Sequence, residues 1–343
     1  MQQAFAQVLG QTQPDLIHIQ HLMGLPVGLV KRIRQAGLPF VITLHDYWWV
    51  CANAQLLTNY SGQLCAGPQA GFNCARCALA RAGQPHAWPL APPLAGVLTW
   101  RNYLLRRVLH AAGRLIAPTE FVRRWYAGHG APAERLVLIP HGLDRPDLPP
   151  RPARRSSQPL RLVYIGGLTW QKGVHTLVKA FEGVGEWAEL WIAGDETVDP
   201  AYVAMLKAQA SPQVRFLGQL SRAEVWATLA QAGAVLVPSL WYETFSFIVS
   251  EAFAAGVPVL ASRLGTLADR VSDGVDGLLV PPGDVSAWRE AIHRLAQEPE
   301  LLPRLQANVQ PPRTLAAHAE EIERVYQAVL SRNESTDYTD THR

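Results

Sequence analysis

Short apolar, β-branched runs recur through the second half of the chain, each followed by a stretch with apolar residues three and four apart. The runs are RLVYI (161–165), ELWIA (189–193), VRFLG (214–218), AVLVPS (234–239), PVLAS (258–262) and GLLVP (277–281). Continuous apolar runs of that length suit strands buried on both faces, and the 3.6-residue period between them suits helices. Ser221 with Glu224 three positions on is a capping-box start for one of those helices. Strand and helix in alternation predict a doubly wound parallel sheet.

The first half is thinner. DLIHIQ (15–20), PFVITLH (39–45), RLIAP (114–118) and RLVLIP (135–140) predict four strands, with an insertion (about 47–112) after the second. The chain opens on a helical pattern, AFAQVLGQ, rather than on a strand. A doubly wound sheet begun there has an unpaired edge and lacks a helix layer. Residues 1–143 therefore read as an incomplete domain, either truncated or completed by a partner chain. The Pro-rich 144–159 reads as a linker, 160–312 as the second domain, 313–331 as a helix returning toward the first, and 332–343 as a disordered polar tail. The expected class is α/β, with two Rossmann-like, doubly wound parallel-sheet domains.

Composition narrows the class. A length of 343 residues suits two domains, and 48% hydrophobic with 17% charged residues excludes a disordered chain. The start, MQQAFAQVLGQTQ, lacks the basic and apolar regions of a signal peptide, and no uncharged stretch accumulates a membrane span. The expected location is cytoplasmic. Residues 1–159 carry 16 Lys and Arg against 6 acids, residues 160–343 carry 15 against 22, and no acid occurs from Tyr47 to Thr119. Such a field draws anions, a phosphorylated or lipid-linked substrate or an anionic membrane face, or else docks the basic half on the acidic half. Nucleic acid is not expected, because no basic run is interleaved with aromatics.

Two strand-end loops carry candidate chemistry. In YIGGLTWQKG (164–173), Gly166 and Gly167 let the main chain approach a phosphate and Lys172 supplies a point charge. Taken alone, a glycine pair after a strand is also the ordinary sequence of a tight turn. In SLWYETFSFIVSEAFAAG (239–256), Glu243 sits in the loop and Glu251 follows by eight positions, a spacing that in a helix spans about 12 Å and returns to nearly the same face. That spacing suits one carboxylate on a ribose and another near a sugar, with the N–H groups of Phe245, Ser246 and Phe247 facing sugar and diphosphate. Glu251 is alone among uncharged neighbours from Thr244 to Ser262, and a lone acid in so apolar a helix is usually paired or bound.

With these residues in view, the chain resembles the retaining GT-B glycosyltransferases of family 4, the glycosyl transferases group 1 family. Glu243 and Glu251 match that family's paired-glutamate signature, and GGLTWQKG, IPHGLD and SRLGTLADRVSDGVDGLLVPPGD resemble its phosphate loop, linker entry and following segment. ITLHDYWWVC resembles its strand-end histidine motif. The resemblance implies a GT-B fold and a nucleotide-sugar donor. It implies that Glu251 binds the ribose, Glu243 the donor sugar and Lys172 the diphosphate, and that His45 approaches the sugar from the opposite domain. It also implies retention by front-face attack, with the departing phosphate taking the acceptor's proton. There are departures: Gly167 stands where the family has Arg, His141 where it has Asn, and Thr266 and Asp269 where it has Gly and Glu. No Asp-x-Asp motif occurs at a strand end, so Lys172 and helix N-termini are expected to serve the leaving group without a metal cofactor.

All four cysteines, Cys51, Cys65, Cys74 and Cys77, fall within 27 residues. The closing C-x2-C is a chelate bite suited to tetrahedral zinc, so a structural zinc site leads, with disulfides or a redox pair and buried thiols as alternatives. The spacing also fits an iron–sulfur cluster. The helical pattern of 97–113 reads as an ordinary helix covering the insertion, with peripheral contact at an anionic inner membrane face as the rival. The leading function is a retaining hexosyltransferase using a nucleotide-diphosphate sugar and a glycan or lipid-linked acceptor. The rival is a weak or inactive nucleotide-sugar-binding homologue that acts through a partner. A GT-B-like epimerase is a third class, one not expected to carry the paired glutamates.

Overall fold

The structure is a computed structural model and describes residues 1–147 and 158–340. It forms two compact units, Met1–His141 with Ala316–Arg343, and Gly142–Leu315. Most of the stretch predicted to be a linker, 148–157, lies outside the described residues.

The first unit holds four parallel strands, β1 (Ile17–Ile19), β2 (Phe40–Thr43), β3 (Arg114–Ala117) and β4 (Leu136–Leu138), in the order β1-β2-β3-β4. β2 is buried along its whole length, as a central strand covered on both faces must be. The helix Leu315–Asp340 lays Val325 and Val329, one turn apart, on Val41, Ile116 and Ile139. Gly113 permits that approach, because a Cβ there would lie 2.8 Å from a Val329 methyl. The helix runs to Asp340, past the point where polar composition predicts a disordered tail. Once a helix is nucleated, each added residue gains a hydrogen bond without a new nucleus, which favours continuation through polar sequence.

The insertion between β2 and β3 contributes the helices Phe72–Arg81 and Ala91–Ala111. They meet through Ala75, Leu79, Ala91, Ala95 and Leu98. Gly71, at φ 81°, opens the first helix against the Ala95 carbonyl, where no side chain fits. The second helix starts earlier than predicted because proline suits a first helical turn, where no N–H is required. Its outer face leaves Val97, Trp100 and Tyr103 exposed.

The second unit holds β5 (Leu160–Ile165), β6 (Ala188–Ala193), β7 (Val214–Gly218), β8 (Ala234–Val237), β9 (Val259–Ser262) and β10 (Gly277–Val280). All are parallel, in the order β10-β9-β8-β5-β6-β7. One core, with Leu162, Leu190 and Trp288, covers one face, and a second, with Val163, Val235 and Leu229, covers the other. The helix Arg222–Gln231 opens with the Ser221–Glu224 capping box. No helix among the described residues is long and apolar enough to cross a membrane.

One titratable group ties the long helix to the first sheet. His18 on β1 joins Tyr326 Oη through Nδ1 (2.6 Å) and Thr43 Oγ1 through Nε2 (2.7 Å). Burial, then the nearby His45 and His318, pull its pKa from 6.5 to about 4. Between those values the unfolded chain takes up the proton and the folded chain does not, so stability is full above pH 6.5 and falls as pH drops toward 4. Urea unfolding across that window should show a steeper loss in the native protein than in His18→Gln. Equal slopes would contradict the assignment.

Candidate active site

The strand order of the second unit reverses between β5 and β8: the chain leaves β5 toward β6 and β7, then returns to β8 on the other side. Such a reversal opens a crevice at the carboxyl ends of the two strands. The loops that follow β5 and β8 meet there, and Leu240 N–H donates to the Gln171 carbonyl at 2.8 Å. Gly173, at φ 73°, sits against the Pro238 carbonyl, where a Cβ would collide. A side chain at this position would push the two loops apart.

That seam places Lys172 beside Glu243. Nζ lies 2.8 Å from Glu243 Oε1, and the same oxygen accepts from Ser239 Oγ (2.7 Å) and Trp241 Nε1 (3.1 Å). Glu243 is only 6% exposed, so its charge is held by donors rather than by water. Tyr164, buried behind them, donates to the Gly167 carbonyl at 2.7 Å. Its hydroxyl is pushed well above the ordinary range by burial and then by the Glu243 charge. A Cβ on Gly166 would lie 3.0 Å from that hydroxyl, whereas Gly167 faces open space.

The two glutamates do not share a helix. The helix covers Phe247–Ala254, and Ser246 before it is left-handed (φ 63°), so the eight-residue rise of a single helix does not apply. Glu251 is buried and ion-paired with Arg222, a cation from the first turn of another helix. Lys172 therefore meets Glu243 and Arg222 meets Glu251. Phe245, Ser246 and Phe247 form the turn into the helix, and Arg270 ties it down. The Arg270 guanidinium donates to the Phe245 carbonyl, the Ser246 carbonyl (2.8 Å) and Ser250 Oγ (2.6 Å), and lies 4.0 Å over the Phe245 ring. Burial brings its pKa down to about 10, which leaves it charged at neutral pH.

Sequence reasoning missed Ser239, Trp241, Arg222 and Arg270. Arg270 falls on a position the resembled motif leaves open, and its only signal is a cation beside buried Val271. Thr266, one of the departures, gives a long hydroxyl contact to the Thr244 carbonyl (3.4 Å).

In the first unit, His45 follows β2 and its Nε2 lies 2.6 Å from Gln20 Oε1. Its ring stacks on His141 at 5.5 Å, and His141 meets His318 edge-on. Desolvation is the main cause holding the His45 pKa below 6.5. Beside it, His21 Nδ1 accepts from Met23 N–H, so Nε2 carries the proton donated to Asp46 Oδ2 at 2.9 Å. Asp46 Oδ1 in turn accepts from Trp48 N–H. Gln20, His21 and Asp46 were not singled out from sequence; each is a common residue whose partner is 25 positions away.

The four cysteines carry free thiols. Among the described residues no group of three His, Cys, Asp or Glu side chains is already arranged to hold a metal ion. Two of the sulfurs are turned to other partners: Cys65 to the Gly67 carbonyl (3.5 Å) and Cys77 to Asn59 N–H (3.2 Å) and the Leu57 carbonyl (3.9 Å).

Comparison with known proteins bears on the family and the fold. The Glycosyltransferase Family 4 model matches residues 1–145, and the Glycosyl transferases group 1 model matches residues 150–310. A glycogen synthase of Mycobacterium tuberculosis is 31% identical over 168 residues, 48% of this chain and 40% of that protein. A phosphatidyl-myo-inositol mannosyltransferase of Mycobacterium leprae is 30% identical over 225 residues, 63% of this chain and 56% of that protein. The chain thus spans about half the length of these relatives. Anabaena HepE, solved with UDP and glucose, superposes with a TM-score of 0.67 at 20% identity, over 94% of this chain and 80% of that one. Two consecutive family models, two parallel α/β sheets and a GT-B neighbour agree: the chain belongs to the family 4, group 1, glycosyltransferases and has the GT-B fold.

Proposed function

We propose that this chain moves a hexose from a nucleoside diphosphate to a hydroxyl of a glycan or glycolipid, retaining the anomeric configuration and using no metal ion in catalysis. The observation that carries the reading is the buried Lys172–Glu243 pair at the reversal of strand order. Main chain at Gly166 and Gly167 and the Lys172 ammonium take the diphosphate. Glu243 and the turn at Phe245, Ser246 and Phe247 take the sugar, and Glu251 exchanges Arg222 for the ribose hydroxyls. As the glycosidic C–O bond breaks, charge grows on the diphosphate, where a fixed cation stabilises the transition state most. The departing phosphate oxygen accepts the acceptor's proton while the acceptor oxygen bonds the same face of the sugar. His45 orients rather than deprotonates, because desolvation lowers its basicity and Gln20 occupies its Nε2.

An acceptor at an anionic membrane suits the outer face of the helix Ala91–Ala111. Val97, Trp100 and Tyr103 are exposed there, Arg107 lies 5.9 Å over the Tyr103 ring, and no acid occurs from Tyr47 to Thr119. Gly167 favours a second reading, a weak or inactive homologue that still binds the donor, because the phosphate loop has lost one of its two expected cations. A Cβ at this position meets nothing within 4 Å, so a side chain can begin there.

UDP release from UDP-hexoses, UDP being the nucleotide found in HepE, should be measured with and without acceptor. Lys172→Met and Glu243→Gln, checked for folding by circular dichroism, should each lower kcat on the order of 10²–10³-fold. Gly167→Arg should raise it. UDP binding without turnover, rescued by Gly167→Arg, would select the second reading. Neither binding nor turnover with any sugar nucleotide would overturn both.

A further inference from the structure

The cysteine-bearing segment has little regular structure of its own. An antiparallel bridge joins Leu57 to Leu64, and Cys65 N–H returns to the Leu56 carbonyl at 2.8 Å. Cys51 closes a turn on the Tyr47 carbonyl at 2.7 Å, and Cys74 and Cys77 lie one turn apart on the helix Phe72–Arg81. These devices set all four cysteines around one cavity of about 80 Å³, which Asn59 and Arg81 also line. Three non-glycine residues of the same stretch, Ala54 (φ 62°), Leu56 (φ 52°) and Ala70 (φ 47°), are left-handed. Such backbone is retained only where its surroundings over-determine it. The two buried apolar side chains of the bridge region, Leu56 and Leu57, are a small core for that task.

We propose that Cys51, Cys65, Cys74 and Cys77 bind one zinc ion as four thiolates, a structural site that holds the segment in shape. Four S–H bonds give way to four Zn–S bonds of about 2.3 Å, the released protons pass to solvent, and nothing is oxidised or reduced. The site then carries a net charge of about −2, four thiolates on a dication. The surroundings suit that charge. Arg81 lines the same cavity, Asn59 N–H already donates to Cys77 Sγ, and no carboxylate occurs from Tyr47 to Thr119. Two of the thiols turn to weak carbonyl contacts, Cys65 to Gly67 and Cys77 to Leu57. Side-chain rotation at Cys65 and Cys77 would turn these sulfurs into the cavity that the four cysteines line.

The test uses the full chain, purified untagged and under reducing conditions. Elemental analysis should find one zinc per chain, and cobalt exchange should give the visible bands of a tetrahedral thiolate complex. A thiol reagent should find four reactive cysteines only after chelation, and protease cleavage within 51–77 should accelerate at the same step. Cys65→Ser should lose the cobalt spectrum. If that variant fails to fold, chelation of the native chain gives the same readout. Four reactive thiols without metal, disulfides by mass spectrometry or an iron–sulfur absorption would each overturn the proposal. None of these readouts depends on transferase activity.

Discussion

A carboxylate as enclosed as Glu243 is costly unless its charge is answered, and Lys172 answers it from the neighbouring loop at 2.8 Å. Three donors converge on one oxygen, from the loops after β5 and β8. Such a pair is weak as a source of stability, since both ions lose water to form it. Its consequence is positional. With Gly173 lodged against the Pro238 carbonyl and Leu240 bonded to Gln171, the pair fixes a cation and an acid side by side at the strand-order reversal. There a ligand can exchange partners with both.

The remaining groups hold that arrangement steady. Arg270 occupies two main-chain carbonyls of the turn before the helix Phe247–Ala254, so the left-handed Ser246 is anchored on both sides. Glu251 is kept on a separate cation, so the two glutamates have different partners although they lie eight residues apart. The first unit is organised differently. His18, His45, His141 and His318 interact around the first sheet, and burial lowers the basicity of His18 and His45, which offer hydrogen bonds rather than fixed charge.

The strands of the second unit were legible because a strand buried on both faces must be apolar throughout, and each lies within one residue or two of its run. Lys172 beside Glu243 was legible as two loops that a doubly wound sheet brings together at strand ends. The pairing of Glu251 with Arg222 was not, because a solvent-side arginine on a capped helix has no pattern until the fold sets it beside another helix. Arg270 was hidden for a related reason: its partners are main-chain carbonyls, which leave no mark on composition. The cysteines were visible as a cluster, but the rotation of their side chains is decided by competing carbonyl and N–H groups that spacing does not reveal. The polar end of the last helix shows the limit of composition, since cooperative hydrogen bonding extends a helix through residues of modest propensity.

The most direct measurement is a crystal structure of the full chain grown with a nucleoside diphosphate such as UDP. The account predicts the diphosphate on the main chain of Gly166 and Gly167 within hydrogen-bond reach of Lys172 Nζ, with Arg222 displaced from Glu251 by the ribose. A nucleotide bound away from the β5 and β8 strand ends, with both ion pairs intact, would contradict it.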